Sequence, residues 1–290
     1  MTPINAEVWG SPIGHSSSPE LHRACYAHLG IPGAYQRREV TQESLRAEFS
    51  AHSGALTGIS LTMPLKTAIL ELVTDHHHDV RQLQAANTAI KTDGKWWLAN
   101  TDPVGAAAMI RRLLRNHHSE VVLLGAGATA KSIVLGLHHA SFVGDLTIVV
   151  RSADRAANTH TLATDLGISS TVVEWGKVDK ASDVQLIIST LPSGIQLPTA
   201  ILETLSTLGA PLMDVGYHPW PTPLAEAFAG WGLDAHSGLP MLMFQALAQI
   251  RAFVNGVSAQ PLVDEAGALG AMAQAVGLDE VWATPALMGE

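Results

Sequence analysis

The stretch VVLLGAGATAKS, Val121 to Ser132, restricts the possible fold more than any other part of this chain. An apolar run stops at Gly125-Ala126-Gly127, and a helix-forming run, Ala130 to His138, starts three residues later. That order spells strand, tight glycine turn, helix. Gly125 lets the chain turn, Gly127 lets a backbone come close to a pyrophosphate, and Ala130 is small enough for helix to pack on strand. The first N–H groups of such a helix, at Gly127, Ala128 and Thr129, face bound phosphates. GAGATAKS also lies one residue from a phosphate-binding P-loop, G-x-x-x-x-G-K-[ST]. Ala130 stands where that loop needs glycine, in a conformation that disfavours alanine. A dinucleotide turn accepts alanine there, and a glycine-tight turn that binds nothing is the plain alternative.

Around this turn, strands and helices alternate. Strands are expected at Val121–Leu124, Leu146–Val150, Thr171–Trp175, Leu186–Thr190 and Leu212–Val215, as in a doubly wound parallel sheet. The preceding part also alternates. A strand at Glu7–Trp9 runs into GSPIGHSSSP, Gly10 to Pro19, which is too rich in Gly, Pro and Ser for a strand or helix interior. Ser18 is expected to cap a helix that begins at Pro19. Further strands are expected at Tyr35–Val40 and Gly58–Met63, with helices at Ser44–His52, after a Thr41 cap, and Lys66–Val73. A hairpin turns at Asp93-Gly94 between Asn87–Lys91 and Lys95–Leu98. Asp102 and Pro103 read as the cap and first residue of a helix reaching Asn116. Two apolar helices, Pro240–Asn255 and Leu262–Val276, end the chain. The expected architecture is a two-domain α/β protein. Residues 1–102 form a substrate domain, completed by helices from about 239–290, and 103–238 a Rossmann-like nucleotide domain, with substrate in the cleft.

Composition narrows the function. The 290 residues suit one large or two modest domains, 47% are hydrophobic and 15% charged, and the net charge is −9. That balance argues against nucleic acid as a partner. It also means that an anionic ligand must be met by local positive charge. No apolar run is long enough to span a bilayer, and MTPINAEVWG lacks the pattern of a secretory signal. A single cysteine, Cys25, excludes an internal disulfide and fits a reducing cytoplasm. The histidines at 76–78, 117–118 and 138–139 lack metal-ligand spacing and read as solvated surface residues.

The nucleotide can be read from the next strand end. An NAD enzyme carries an acidic residue there to bind the ribose 2′-hydroxyl, but here Val150 is followed by Arg151-Ser152, with Arg155 four residues on. Two guanidinium groups at that spacing suit a 2′-phosphate and point to NADP. A solvated surface pair is the other reading of those arginines. Elsewhere, Lys66 follows a strand-ending Pro64 and Asp102 follows Asn100-Thr101. A lysine and an aspartate at adjacent strand ends could form the hydrogen-bonded pair that a general acid or base needs. A surface lysine and a simple helix cap are the plain alternatives.

Together these motifs resemble the shikimate dehydrogenase family over nearly the whole chain. The resemblance lies in Gly10–Pro19, Ser60-Leu61-Thr62-Met63-Pro64-Leu65-Lys66, Ala86-Asn87-Thr88, Asn100-Thr101-Asp102 and Arg151-Ser152 with Arg155. Met213–Tyr217 and Gly238-Leu239-Pro240-Met241-Leu242 with Gln245 complete it. Ser60 stands where the family often has Asn, and Val150 where Asn commonly precedes the clamp arginine. The resemblance implies NADP-dependent, reversible reduction of 3-dehydroshikimate to shikimate by a monomer or homodimer. It implies Lys66 as acid/base with Asp102 as partner, and Ser16, Ser18 and Tyr217 around the substrate carboxylate. Thr62, Asn87, Asp102 and Gln245 would meet the hydroxyls. Gly125, Ala126, Gly127, Ala128, Thr129, Arg151, Ser152, Arg155, Val215, Gly238 and Met241 would bind the cofactor. A quinate/shikimate dehydrogenase with relaxed specificity, and an NADP-binding regulatory module without catalysis, are the alternatives.

Overall fold

The computed structural model describes residues 3–175, 184–256 and 260–288. The chain divides into two compact units, residues up to Gly105 together with Leu242–Met288, and Ala106–Met241.

The first unit opens with β1 (Ile4–Gly10), α1 (Ser18–Leu29), β2 (Gly33–Glu39), α2 (Leu45–His52) and β3 (Gly58–Leu61). Two short helices, α3 (Leu65–Ala68) and α4 (His78–Leu83), precede the hairpin β4 (Thr88–Thr92) and β5 (Lys95–Ala99). Helix α5 (Asp102–Leu113) leads out of it. The sheet order is β2-β1-β3-β4-β5. β1 runs parallel to β2 and β3, whereas β4 is antiparallel to both β3 and β5. The hairpin follows from its turn: Asp93 and Gly94 take φ of 51° and 75°, the left-handed pair that a two-residue hairpin requires. One face buries Trp9, Ile59, Leu61, Leu65, Ile69 and Leu98 in a shared core. Each such side chain contributes roughly 1.5–3 kcal/mol of burial.

Several expected boundaries fall elsewhere in the structure. Ser18 is already helical; Ser17 is the boundary residue of α1, and its side chain makes no capping bond. Thr41 does not cap α2. It exchanges hydrogen bonds with Ser44, and the helix begins at Leu45. The expected helix Lys66–Val73 breaks after Ala68 into a 3₁₀ turn, Ile69–Glu71. The histidines are not uniformly solvated either. His76 and His117 are half-buried, each with a shielded Nδ1 that makes no hydrogen bond.

The second unit contains β6 (Glu120–Leu124), α6 (Ala128–His139), β7 (Asp145–Val150), α7 (Ala157–Asp165), β8 (Ser169–Glu174) and β9 (Val184–Ser189). It continues with α8 (Thr199–Leu208), β10 (Leu212–Asp214), α9 (Pro223–Gly230) and β11 (Ala235–His236). All six strands are parallel, in the order β11-β10-β9-β6-β7-β8. The chain runs outward from β6 through β7 and β8, then returns to β9 beside β6 and runs the other way. That reversal puts the topological switch point at the carboxyl end of β6, where doubly wound sheets bind ligands. Strands covered on both faces need continuous apolar runs, and β6, β7 and β9 have them. Helix α10 (Leu239–Asn255) starts in this unit and continues into the first, where α11 (Glu265–Ala275) packs on α1. No described helix is long and apolar enough to cross a membrane.

Candidate active site

Antiparallel β4 builds the polar centre of the first unit. Because it opposes β3 and β5, its start lies at the same sheet edge as their ends. Lys66 follows β3, Asn87 precedes β4, and Asp102 follows β5. The lysine and aspartate thus do not come from adjacent strands; β4 lies between them and inserts Asn87. Main-chain bonds lock this edge: Leu61 N donates to Asn87 O at 2.7 Å, and Asn87 N to Ala99 O at 3.2 Å.

Lys66 Nζ donates to Asp102 Oδ2 at 2.5 Å. The two side chains are 22% and 10% exposed, so the pair is largely shielded yet the amine remains reachable. Asp102 is the first residue of α5 rather than its cap. Its carboxylate is engaged by Lys66 and by Asn87 Nδ2, which donates to Oδ1 at 2.7 Å. Asn87 is 2% exposed. Its Oδ1 accepts from Thr101 N at 2.8 Å, and its Nδ2 also lies 3.1 Å from Gln245 Oε1. Lys66, Asn87, Asp102 and Gln245 therefore form one connected cluster. A carboxylate held from both sides keeps the lysine ammonium aimed, as proton transfer requires.

Ser16 and Ser18 are both buried, in the loop between β1 and α1. Strand β2 holds that loop at two points. Glu39 accepts from Ser11 Oγ at 2.6 Å and from Ile13 N at 3.0 Å. Arg37 Nε donates to Ser16 O at 2.9 Å, while its Nη2 reaches the same carbonyl and the Glu20 carboxylate. Ser18 N donates to Ser16 Oγ at 3.3 Å. Thr62 is half-buried at the end of β3, beside Gly10, where a Cβ would stand 2.4 Å from Thr62 Cγ2. Neither Arg37 nor Glu39 stands out in the sequence; the charged run Arg37-Arg38-Glu39 at the end of a short strand carries no mark of the loop it holds.

In the second unit, the turn from β6 to α6 has the form a pyrophosphate needs. Gly125 takes φ +105°, and a Cβ there would lie 2.6 Å from Thr190 Oγ1. A Cβ at Gly127 would meet nothing within 4 Å, so the space over the start of α6 is open. No side chain caps that helix end, which leaves its N–H groups available to an anion. Ala130 is fully buried. Ser132, the counterpart of a P-loop's metal-binding hydroxyl, is buried and donates back to Ala128 O at 3.3 Å. Buried Ala130 stands where a P-loop needs glycine, and the start of α6 is open to an anion.

Arg151 is exposed at the end of β7, its guanidinium 5.3 Å from the Trp175 ring centroid, and Ser152 and exposed Arg155 follow. Trp175 carries no signal in the sequence, because an isolated tryptophan at a strand end reads as packing. Val215 and Gly238 lie together: Gly238 N donates to Gly216 O at 3.0 Å, and a Cβ on Gly238 would sit 2.1 Å from Val215 O. Met241 is buried in α10, and Tyr217 is half-buried in the loop after β10. Asp214 anchors that loop, accepting from Gly216 N at 3.0 Å and Thr222 Oγ1 at 2.7 Å. Burial pushes the Asp214 carboxyl above its ordinary range despite these bonds. Gly125 to Thr129, Arg151, Ser152, Arg155, Val215, Tyr217, Gly238 and Met241 thus belong to the second unit, and Lys66, Asp102 and the other expected substrate residues to the first. Among the described residues, no group of three or more His, Cys, Asp or Glu is placed to hold a metal.

Comparison with known proteins gives this geometry a family. The shikimate dehydrogenase substrate binding domain matches residues 8–89. A shikimate dehydrogenase (NADP(+)) of Paramagnetospirillum magneticum is 32% identical over 260 residues, covering 86% of this chain and 91% of that protein. The crystal structure of Mycobacterium tuberculosis shikimate dehydrogenase is 33% identical, with a TM-score of 0.78 over 94% of this chain and 100% of that one. A shikimate 5-dehydrogenase of Thermus thermophilus, solved in complex with NADP(H) and shikimate, is 25% identical, with a TM-score of 0.74 over 94% and 99% of the two chains. With a fold and a relative of this extent in common, the chain belongs to the shikimate dehydrogenase family.

Proposed function

We propose that the chain catalyses the reversible, NADP-dependent reduction of 3-dehydroshikimate to shikimate. The observation that carries this reading is the 2.5 Å contact between Lys66 Nζ and Asp102 Oδ2, backed by Asn87. Lys66 donates a proton to the ketone oxygen as it becomes an alkoxide, and takes one back in the reverse direction. Asp102 keeps the ammonium aimed and, with Asn87, Thr62 and Gln245, accepts or donates hydrogen bonds to the ring hydroxyls. Ser16 and Ser18 bind the substrate carboxylate from a loop already held by Arg37 and Glu39. Tyr217, from the second unit, is the remaining hydroxyl that this reading assigns to the substrate carboxylate.

The second unit, about 103–238, holds the cofactor, and the first unit with the C-terminal helices holds the substrate. The glycine turn from Gly125 to Thr129 receives the pyrophosphate. Arg151, Ser152 and Arg155 receive the 2′-phosphate, and Val215, Gly238 and Met241 line the nicotinamide side. NADPH, when bound, supplies the hydride. A cytoplasmic location and a monomeric or homodimeric state belong to the same reading.

The test is the initial rate of shikimate oxidation with NADP and with NAD, with quinate as a second substrate. Saturable turnover of shikimate that favours NADP supports the reading. No turnover with either nucleotide, alongside tight NADP binding, would replace it with a non-catalytic NADP-binding module.

A further inference from the structure

Helix α10 is apolar along most of its length, yet it carries two buried glutamines one turn apart, Gln245 and Gln249. Gln245 belongs to the cluster around Asn87. Gln249, 2% exposed, makes bonds of its own. Its Nε2 donates to the main-chain carbonyl of Asn87 and to Thr88 Oγ1, both at 3.0 Å. Its Oε1 accepts from Ser60 Oγ at 2.8 Å, and Ser60 Oγ accepts from the Tyr35 hydroxyl at 2.7 Å. That hydroxyl also meets the Ser18 side chain.

The donor directions are forced. A main-chain carbonyl can only accept, so the nitrogen end of the Gln249 amide must face Asn87 O, and the oxygen end then faces Ser60. Thr88 Oγ1, having accepted from Gln249, donates its own hydrogen to Asn87 Oδ1 at 2.7 Å. Thr101 N, which can only donate, meets the same oxygen. Asn87 is left with its NH₂ toward Asp102. A single sequence of oriented bonds thus runs from Ser18 through Tyr35, Ser60, Gln249 and Thr88 to Asn87, and ends on Asp102 and Lys66.

We propose that Gln249 is a positioning residue for the Lys66–Asp102 pair, acting through Thr88 and Asn87, and that it links this pair to the loop carrying Ser18. The inference rests on the reading of Lys66 and Asp102 as the acid–base pair. Removing the Gln249 amide leaves the buried Ser60 hydroxyl without its acceptor and Thr88 without its donor. Asn87 then keeps Thr101 N on its Oδ1 but loses the Gln249 bond to its main-chain carbonyl, and the Thr88 hydroxyl that meets its Oδ1 is no longer fixed in orientation. The titratable groups around the chain of bonds are His22, Tyr26 and Tyr35. His22 stacks on Tyr35 at 3.7 Å between ring centroids. Burial drives the His22 pKa down to about 3, with Gln249 opposing, and raises both tyrosine hydroxyls above their ordinary value. From Ser18 to Asn87 the chain of bonds is therefore uncharged at neutral pH, and it orients dipoles toward the Lys66–Asp102 ion pair without moving charge.

Two variants test this. In Gln249→Leu, kcat with shikimate and NADP should fall about ten- to a hundredfold, with KM for NADP changed less than about twofold. The Asn87 side-chain amide, identified in nitrogen–proton spectra by the signal that Asn87→Asp deletes, should exchange with solvent at least about tenfold faster. In Gln249→Glu, a neutral carboxyl restores one donor and one acceptor, whereas the ionised form has no donor. Its kcat relative to wild type should therefore climb as pH is lowered from about 9 to about 6. A folded Leu variant with kcat within about twofold of wild type and unchanged Asn87 exchange overturns the proposal. If the Leu variant does not fold, the Glu variant decides, and a pH-independent ratio overturns it. Wild-type protein that fails to turn over shikimate sinks the acid–base reading instead, and Asn87 exchange then still judges the hold of Gln249 on Asn87.

Discussion

Asp102 is held from two sides: Lys66 Nζ lies 2.5 Å from Oδ2, and Asn87 Nδ2 lies 2.7 Å from Oδ1. An amide at Asp102 would present an N–H to one of these donors and lose the charge that holds the lysine. Asp102→Asn should lower kcat for shikimate by about two to three orders of magnitude. NADP affinity, measured by titration of protein fluorescence, should stay within about twofold, because the expected nucleotide contacts lie elsewhere. Loss of NADP binding in this variant would mean that Asp102 supports the fold rather than the chemistry.

Arg151 stands exposed over the Trp175 ring at the end of β7. If it holds a 2′-phosphate, Arg151→Ala should weaken NADP by about ten- to a hundredfold and NAD by less than about threefold. Equal losses for both nucleotides, read from dissociation constants, would remove Arg151 from the discrimination.

Two glycines of the same turn should behave differently. Gly125 has φ +105° and no room for a Cβ beside Thr190, so Gly125→Ala should cost roughly 2–3 kcal/mol in denaturant unfolding. Gly127, the residue before α6, has φ −80° and open space where a Cβ would stand, so Gly127→Ala should leave stability within about 0.5 kcal/mol. The new methyl group would nonetheless stand where the pyrophosphate approaches and should weaken NADP about tenfold or more. Unimpaired NADP binding by Gly127→Ala would argue that the turn serves packing alone.

Burial drives His22 down to a pKa of about 3 in the folded chain, whereas an unfolded histidine titrates near 6.5. Because the folded pKa is depressed, the stability tied to neutral His22 is present above the unfolded value. It is lost progressively between that value and about 3, as the unfolded chain gains a proton that the folded chain refuses. By pH 5 the loss should reach roughly 2 kcal/mol. His22→Phe keeps an aromatic ring against Tyr35 and should flatten this part of the acid limb. Unfolding free energies that fall equally from pH 7 to pH 5 in both proteins would contradict it.

The fold was legible where chemistry and period agree. The β6–α6 turn, the alternation of the second unit and the Asp93-Gly94 hairpin each depend on residues close in sequence. Boundaries went astray where a polar side chain had two local options. Ser18 reads as a cap but is buried and faces Tyr35, and Thr41 bonds Ser44 in place of a helix end. At the candidate site, Lys66 and Asp102 could be named from their motifs. That β4 would interpose Asn87 follows only from the pairing of β3 with β4, such as Ser60 opposite Thr88. Gln249 was hidden further: its partners Ser60 and Thr88 are 189 and 161 residues away. The one trace in the sequence is a second glutamine four residues after Gln245 in an apolar helix, where a buried amide needs partners.

The experiment that bears most squarely on Lys66 as proton donor is single-turnover and steady-state shikimate oxidation by wild type and Lys66→Ala at saturating NADP. If the Lys66 amine carries the proton, kcat falls by about two to four orders of magnitude, with substrate KM changed only modestly. Near-normal turnover by the variant would contradict that role and remove Lys66 from the mechanism.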